Sequence, residues 1–281
     1  MSKHITIPDF SSKAELFGWL KANKDLLMAQ KKAEIKQADA VHLFAVAAEQ
    51  EAANKAAAIP EDATELMVKS IINTTNLFDS HRDVHIPGLW DKSLKEQKLL
   101  YLVQEHKMAF DHIISDEVKA SAVTYTWAQL GYNMPGTTQA LVFDSVVKMD
   151  RNPLMFKQYK KGWVKNHSVG MRYMKLYLAV NSEEPAYTVE KDAWDKYYPM
   201  IANKEEVDAV GYFWAVTEAK IVEGSAVPMG SNWATPTQSV SSKAAEEGTL
   251  DNTEPPAGTQ EDNQTKTVDW EKIANKSFLF N

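Results

Sequence analysis

The apolar positions fall into three textures along the chain. From about Ser11 to Ala58 they recur at helical spacing, through Leu16, Leu20, Leu26, Leu27, Ile35, Val41 and Leu43. Ser11 or Ser12 can cap the start, and Glu15 closes a capping box with Ser12. Between Ala38 and Ala58 the sequence turns alanine-rich, with interspersed Glu, Gln and Lys. Propensity favours helix there, but the apolar stripe is thin, so a solvated or partner-dependent helix is expected. Ile59-Pro60 ends it, because the residue before a proline is pushed out of the helical region.

The second texture is strand-like. Leu66–Asn73, Glu117–Trp127, Ala140–Met149, His167–Val180 and Val210–Val222 are β-branched, aromatic or alternating runs. Two helices interrupt them, over Asn152–Lys161, with Asn152 as cap and Pro153 in the first turn, and over Val189–Tyr198. Many strands with few helices predict an α+β, mainly β fold in which an antiparallel or mixed sheet closes into a barrel. The third texture, Ala234–Lys266, is rich in Thr, Ser, Gln, Glu, Gly and Pro and predicts disorder. Val268–Phe280 is apolar again, as a docking peptide or a returning helix would be. The expected organisation is a helical region over 1–62, a folded domain over 63–235 and a flexible tail over 236–281.

Composition narrows the function. The net charge of -7 gives no electrostatic footprint for nucleic acid. The absence of cysteine removes thiolate nucleophiles, disulfides and cysteine-ligated zinc. No run reaches the roughly 18 apolar residues that span a bilayer, so no membrane partner is expected.

The candidate chemistry lies at the ends of strand-like runs. Ser168 sits in His167-Ser168-Val169-Gly170-Met171, where Gly170 would allow a close backbone approach or a bulge. This is not a G-x-S-x-G elbow, which disfavours an α/β-hydrolase. His106 ends Leu102–His106 and is the natural base for the serine. His112 is a competitor in a loop-like stretch, and His167, as Ser168's neighbour, points to the opposite face of a strand. No histidine follows His167, so the third member of a triad would be an acid. Glu223, inside Ile221–Val227, is the candidate, because an unpaired carboxyl group would be costly there. Separately, His81, Asp83 and His85 would share one face of an extended segment, a metal pattern that His106 or His112 could complete. Turn residues flank that stretch, so an exposed polar loop is the expectation. Trp127, Trp163, Trp194, Phe213 and Trp214 read as core, and Lys157–Lys161 as a solvated helix face.

Taken in order, these segments resemble the prohead proteases of tailed bacteriophages. Asn76–Trp90 carries an aspartate-containing turn leading into Ile86-Pro87-Gly88-Leu89-Trp90. Leu102–His106 then supplies a histidine after an apolar strand, and Ser168-Val169-Gly170 the serine. Glu223-Gly224-Ser225, running on to Pro228 and Gly230-Ser231-Asn232, supplies the acid. The likeness spans about Glu65 to Thr235. Each motif is short; the four in order are the signal. The resemblance implies a β-barrel ringed by helices, similar to herpesvirus assemblin. It also implies a serine endopeptidase with Ser168 as nucleophile, His106 as base and Glu223 as third member, needing no cofactor or metal. Its substrates would be scaffold and major capsid proteins, and its own chain, inside the procapsid in the host cytoplasm. A homo-oligomer is compatible with it. The family's oxyanion donors map onto no side chain here. A capsid-assembly protein with a protease-like fold and no activity is the alternative, suited by the Ala/Glu/Lys helix and the tethered tail.

Overall fold

The longest β-rich runs become the longest strands of a computed structural model, which describes residues 5–35, 59–96 and 99–242. Among these residues the chain is mixed α+β, mostly strands, with six α-helices. One sheet is antiparallel, in the order β5 (Val118–Thr126), β6 (Thr137–Lys148), β1 (Glu65–Thr74), β9 (Thr237–Ser242). The other is built on β8 (Tyr212–Val227). Along one side β8 pairs antiparallel with β7 (Asn166–Val180). Along its other side it pairs in parallel with β2 (Asp83–His85) and, further on, with β3 (Leu102–Gln104). β4 (Ile113–Ser115) extends the sheet beyond β3.

The sheets pack face to face. At Gly224 a Cβ would stand 2.5 Å from Phe143 Cε2 and 3.2 Å from Ile72 Cδ1, so only glycine lets β8 come this close to the first sheet. Burying Phe143 contributes about 1.5–3 kcal/mol. Because side chains alternate, Glu223 and Ser225 then face away from this contact.

The expected closed barrel does not form; neither sheet closes on itself. At one corner the ladder is reduced to the bridge Asn166↔Pro236, flanked by His167 N–H to Thr235 O (3.1 Å) and Thr237 N–H to Lys165 O (3.2 Å). At the other, where the chain passes from β4 to β5, Ser115 Oγ donates to Val146 O at 2.7 Å in place of a ladder bond.

The N-terminal helices are part of the body. α1 (Lys13–Ala22) starts at Ser12, whose Oγ accepts from Glu15 N–H. α1 and α2 (Lys24–Ala33) bury Phe17, Leu20 and Leu27 in the main core. α2 also sends Lys24 to Glu190 (2.6 Å) and Lys31 to Asp83 (2.5 Å). The stretch expected to be disordered from Ala234 is ordered at its start, where Thr237–Ser242 completes the first sheet as β9; residues 243–266 lie outside the described residues. The alanine-rich helix expected over Ala38–Ala58 and the apolar segment Val268–Phe280 lie outside the described residues.

Candidate functional site

β7 and β8 place Ser168 and Glu223 on one face, and the turn after β3 brings His106 onto Glu223. Ser168 on β7 lies directly across from Ser225 on β8, and Gly170 lies across from Glu223. Cross-strand pairs share a face, so Ser168, Gly170, Glu223 and Ser225 all lie on the face away from the inter-sheet core. Just past Glu223 the register skips Val222, a bulge that alters the local twist beside the acid. α3 (Asp91–Glu96) props this bulge, with Ser93 Oγ accepting from Ile221 N–H at 2.9 Å.

His106 arrives from the other side of β8. After β3 the chain turns through Glu105 (φ 51°) and His106 (φ 57°), two successive non-glycine residues in the left-handed region. Each costs about 1–3 kcal/mol and persists only where its surroundings impose it. Three hydrogen bonds do so: Glu105 N–H to Ala226 O (3.0 Å), Lys107 N–H to Gln104 O (3.0 Å) and His106 N–H to Ser225 Oγ (2.8 Å). Ser225 Oγ in turn donates to Val103 O at 3.1 Å. The turn swings the imidazole over β8, where Nδ1 meets Glu223 Oε1 at 2.6 Å. With the carboxyl oxygen as acceptor, the proton sits on Nδ1 and Nε2 carries the lone pair.

Gly170 makes room for this bond. A Cβ there would stand 2.1 Å from Glu223 Oε1, 2.8 Å from its Cδ and 3.0 Å from its Cγ. The glycine two residues after the serine is therefore a requirement of the acid. Glu223 Oε2 is buried without a hydrogen bond, a demanding position for a carboxyl oxygen. The segment leading to Asn232 runs back over the serine. A Cβ on Gly230 would stand 2.9 Å from His167 O and 3.6 Å from Ser168 Cβ.

His167 points elsewhere. Its Nδ1 faces the Thr235 carbonyl (3.3 Å), so that nitrogen holds the proton, and Nε2 accepts from Tyr159 O–H at 2.9 Å. Burial holds its pKa down at about 4, partly offset by the Thr235 carbonyl. His112 pairs with exposed Asp111 at 2.8 Å.

The polar stretch read as an exposed loop is instead buried: Asp79, Asp83 and His85 are all inside. Their partners come from far along the chain. Asn232 Nδ2 donates to Asn73 Oδ1 (2.7 Å), and Asn73 Nδ2 then donates to His85 Nδ1 (3.0 Å). His85 Nε2 donates to Tyr173 Oη (3.0 Å), Tyr173 Oη–H donates to Asp83 Oδ2 (2.8 Å), and Lys31 pairs with Asp83 Oδ1. Each donor in this chain fixes the next and orients the His85 ring. Burial, then the nearby Asp83, pushes the Asp79 carboxyl up to about 8. The ligand atoms of Asp79, His81 and Asp83 lie within 4.8 Å of one another. That is a different set from the His81, Asp83 and His85 pattern weighed against the loop, since the His85 ring faces Asn73 and Tyr173.

Of the aromatics expected in the core, Trp127, Trp194, Phe213 and Trp214 are buried, whereas Trp163 is 59% exposed. Sequence reasoning missed Ser225 and Lys31. For Ser225 a signal existed, because two residues from Glu223 in a strand places it on the acid's face. Compared with protein-family models, curated proteins and solved structures, the chain matches none.

Proposed function

We propose that this protein is a hydrolase that works by nucleophilic acyl transfer, a serine endopeptidase. The observation that carries the reading is the 2.6 Å bond from His106 to Glu223, made by a strained turn that hangs on Ser225, the cross-strand partner of Ser168. Strain held in place at a serine, a histidine and a buried acid is what a preorganised site requires.

In the reaction, Ser168 Oγ attacks the peptide carbonyl carbon while His106 Nε2 takes its proton. Glu223 keeps the imidazole in the required tautomer and supports the imidazolium. His106 then passes the proton to the leaving amine as the C–N bond breaks. Water attacks the acyl-enzyme ester, giving its proton to His106 and then to Ser168.

The particular reading is a capsid-maturation protease of the tailed-phage prohead type, acting on scaffold and capsid precursors. The ordered motifs of the resemblance support it, and an assemblin-like arrangement of the strands is part of the same proposal. Intact-mass measurements on wild-type and Ser168→Ala protein, alone and with scaffold and capsid precursor chains, test it. Shortening in wild type alone is the expected result. Stable masses in both, with no labelling of Ser168 by a fluorophosphonate, would leave the inactive assembly protein as the better account.

A further inference from the structure

A groove of about 370 Å³ opens beside the candidate site. One end is formed by Glu105, Asn166 and Ala226. Glu105 precedes His106, Asn166 lies two residues before Ser168, and Ala226 follows Ser225. The groove therefore begins roughly 7 Å along β7 from the serine. Its walls are Leu154, Met155, Trp163, Val164, Val227 and Pro228. Leu154 and Trp163, 56% and 59% exposed, present large apolar surfaces to solvent although four other tryptophans and phenylalanines expected in the core are buried. Exposed apolar surface concentrated in a concavity marks a binding site.

The chain carries a segment suited to it. β9 starts at the groove wall, where Thr237 N–H bonds Lys165 O (3.2 Å) and Thr237 Oγ1 bonds Val164 O (2.8 Å). β9 ends at Ser242, roughly 17 Å further on. The sequence then runs on to Val268–Phe280, which holds Trp270, Ile273, Phe278, Leu279 and Phe280. The 25 residues between, 243–267, can span at most about 85 Å when fully extended, so the groove is within covalent reach. Asp269, Glu271, Lys272 and Lys276 balance in charge, as do Glu105 and Lys165 at the rim.

We propose that this groove seats the bulky apolar side chains of a polypeptide beside Ser168, and that its occupant in the intact chain is Val268–Phe280. The proposal rests on the protease reading for its consequence, that the tail is the first polypeptide presented to the serine. The docking itself is measured separately.

The test uses the full chain carrying Ser168→Ala, with a photoreactive benzophenone amino acid in place of Phe278. After irradiation, cross-links mapped by mass spectrometry are expected within one chain, on peptides containing Leu154–Asn166. They should fall at least tenfold when Trp163→Glu and Leu154→Glu are added; both side chains are exposed, so the fold tolerates the change. Cross-links on another face, between two chains, or none at all would overturn the proposal. Fluorophosphonate labelling of wild type, run in parallel, reports on the catalytic reading alone. Labelling without groove cross-links would remove the docking proposal, and groove cross-links without labelling would remove the protease reading.

Discussion

Replacing Gly170 by alanine separates a glycine that serves a strand from one that serves a carboxyl group. By propensity the change should help, since glycine within a strand is about 0.5–1 kcal/mol worse than alanine. The structure predicts the opposite. The new Cβ would lie 2.1 Å from Glu223 Oε1 and 3.0 Å from Cγ, so the whole end of the glutamate must move by more than 1 Å. Gly170 and Glu223 are paired in the ladder, so the backbones cannot part without breaking it. The glutamate must leave His106, which removes a hydrogen bond of about 1.5–3 kcal/mol, and overpacking adds about 1–3 kcal/mol. Together these predict a loss of about 3–5 kcal/mol in urea denaturation with the slope unchanged. Without its orienting partner the base should act poorly, and the labelling rate of Ser168 by a fluorophosphonate should drop about 10²–10⁴-fold. The double variant Gly170→Ala/Glu223→Ala removes the clash, so its stability should lie above the sum of the single losses while its labelling rate stays low. A Gly170→Ala protein within about 0.5 kcal/mol of wild type, labelling at the wild-type rate, would refute the argument.

Other consequences can be measured in the same way. Lys31→Met leaves buried Asp83 without its cation and should cost about 3–5 kcal/mol, a loss that Asp83→Asn should partly restore in the double variant; equal stability of Lys31→Met and wild type in urea would show the pair to be inert. Ser225→Ala removes the acceptor of the His106 N–H and should lower stability by about 1–3 kcal/mol and slow Ser168 labelling, whereas a change in stability alone would detach Ser225 from the site. His167, at an ordinary 6.5 when unfolded and about 4 when folded, contributes stability that is fully present above pH 6.5 and is lost as pH falls toward 4. The stability difference between wild type and His167→Gln should therefore shrink by about 3 kcal/mol over that interval, and a difference independent of pH would contradict the burial argument.

What could be read from the sequence tracks the length of each element. β7 and β8 were visible because 15 and 16 residues of aromatic and β-branched chain leave a strong pattern. β2, β3 and β4 have three residues each, too few for any periodicity. The stretch Asp79–His85 was misread because polar residues flanked by turn formers look solvated when their partners are distant. Lys31 lies 52 residues from Asp83, and Tyr173 lies 90 residues away from it. Trp163 was misread for the opposite reason: hydrophobicity alone does not distinguish a core side chain from one lining a groove. Ser168, His106 and Glu223 could be named from chemistry and order. That Glu223 reaches His106 over a glycine, and that Ser225 holds the turn, depends on a register no local pattern encodes.

Departures from local preference occur in several places, Asn76 and Arg82 among them, and a group of them surrounds Glu223. Two successive left-handed residues at Glu105 and His106, a bulge at Val222, two glycines whose Cβ would collide with side chains, and an unbonded buried oxygen on Glu223 fall on β7, β8 and the turn after β3. Elsewhere β1, β5 and β6 pair with a single register shift among them. A sheet optimised only for stability has no reason to concentrate such costs, because each could be relieved by one substitution: alanine at Glu223, glycine at His106. Under the proposed function these costs serve one geometry, the imidazole held on the Glu223 carboxyl group. This also ranks the two buried clusters. The Asn73–His85–Tyr173–Asp83 chain is bonded end to end and fixes β2 to α2, so its removal should register first as lost stability. Under the proposed function the Ser168–His106–Glu223 group serves activity rather than stability, so Glu223→Ala should cost far more in Ser168 labelling than in the urea midpoint, and equal losses in both would return the group to a purely structural role.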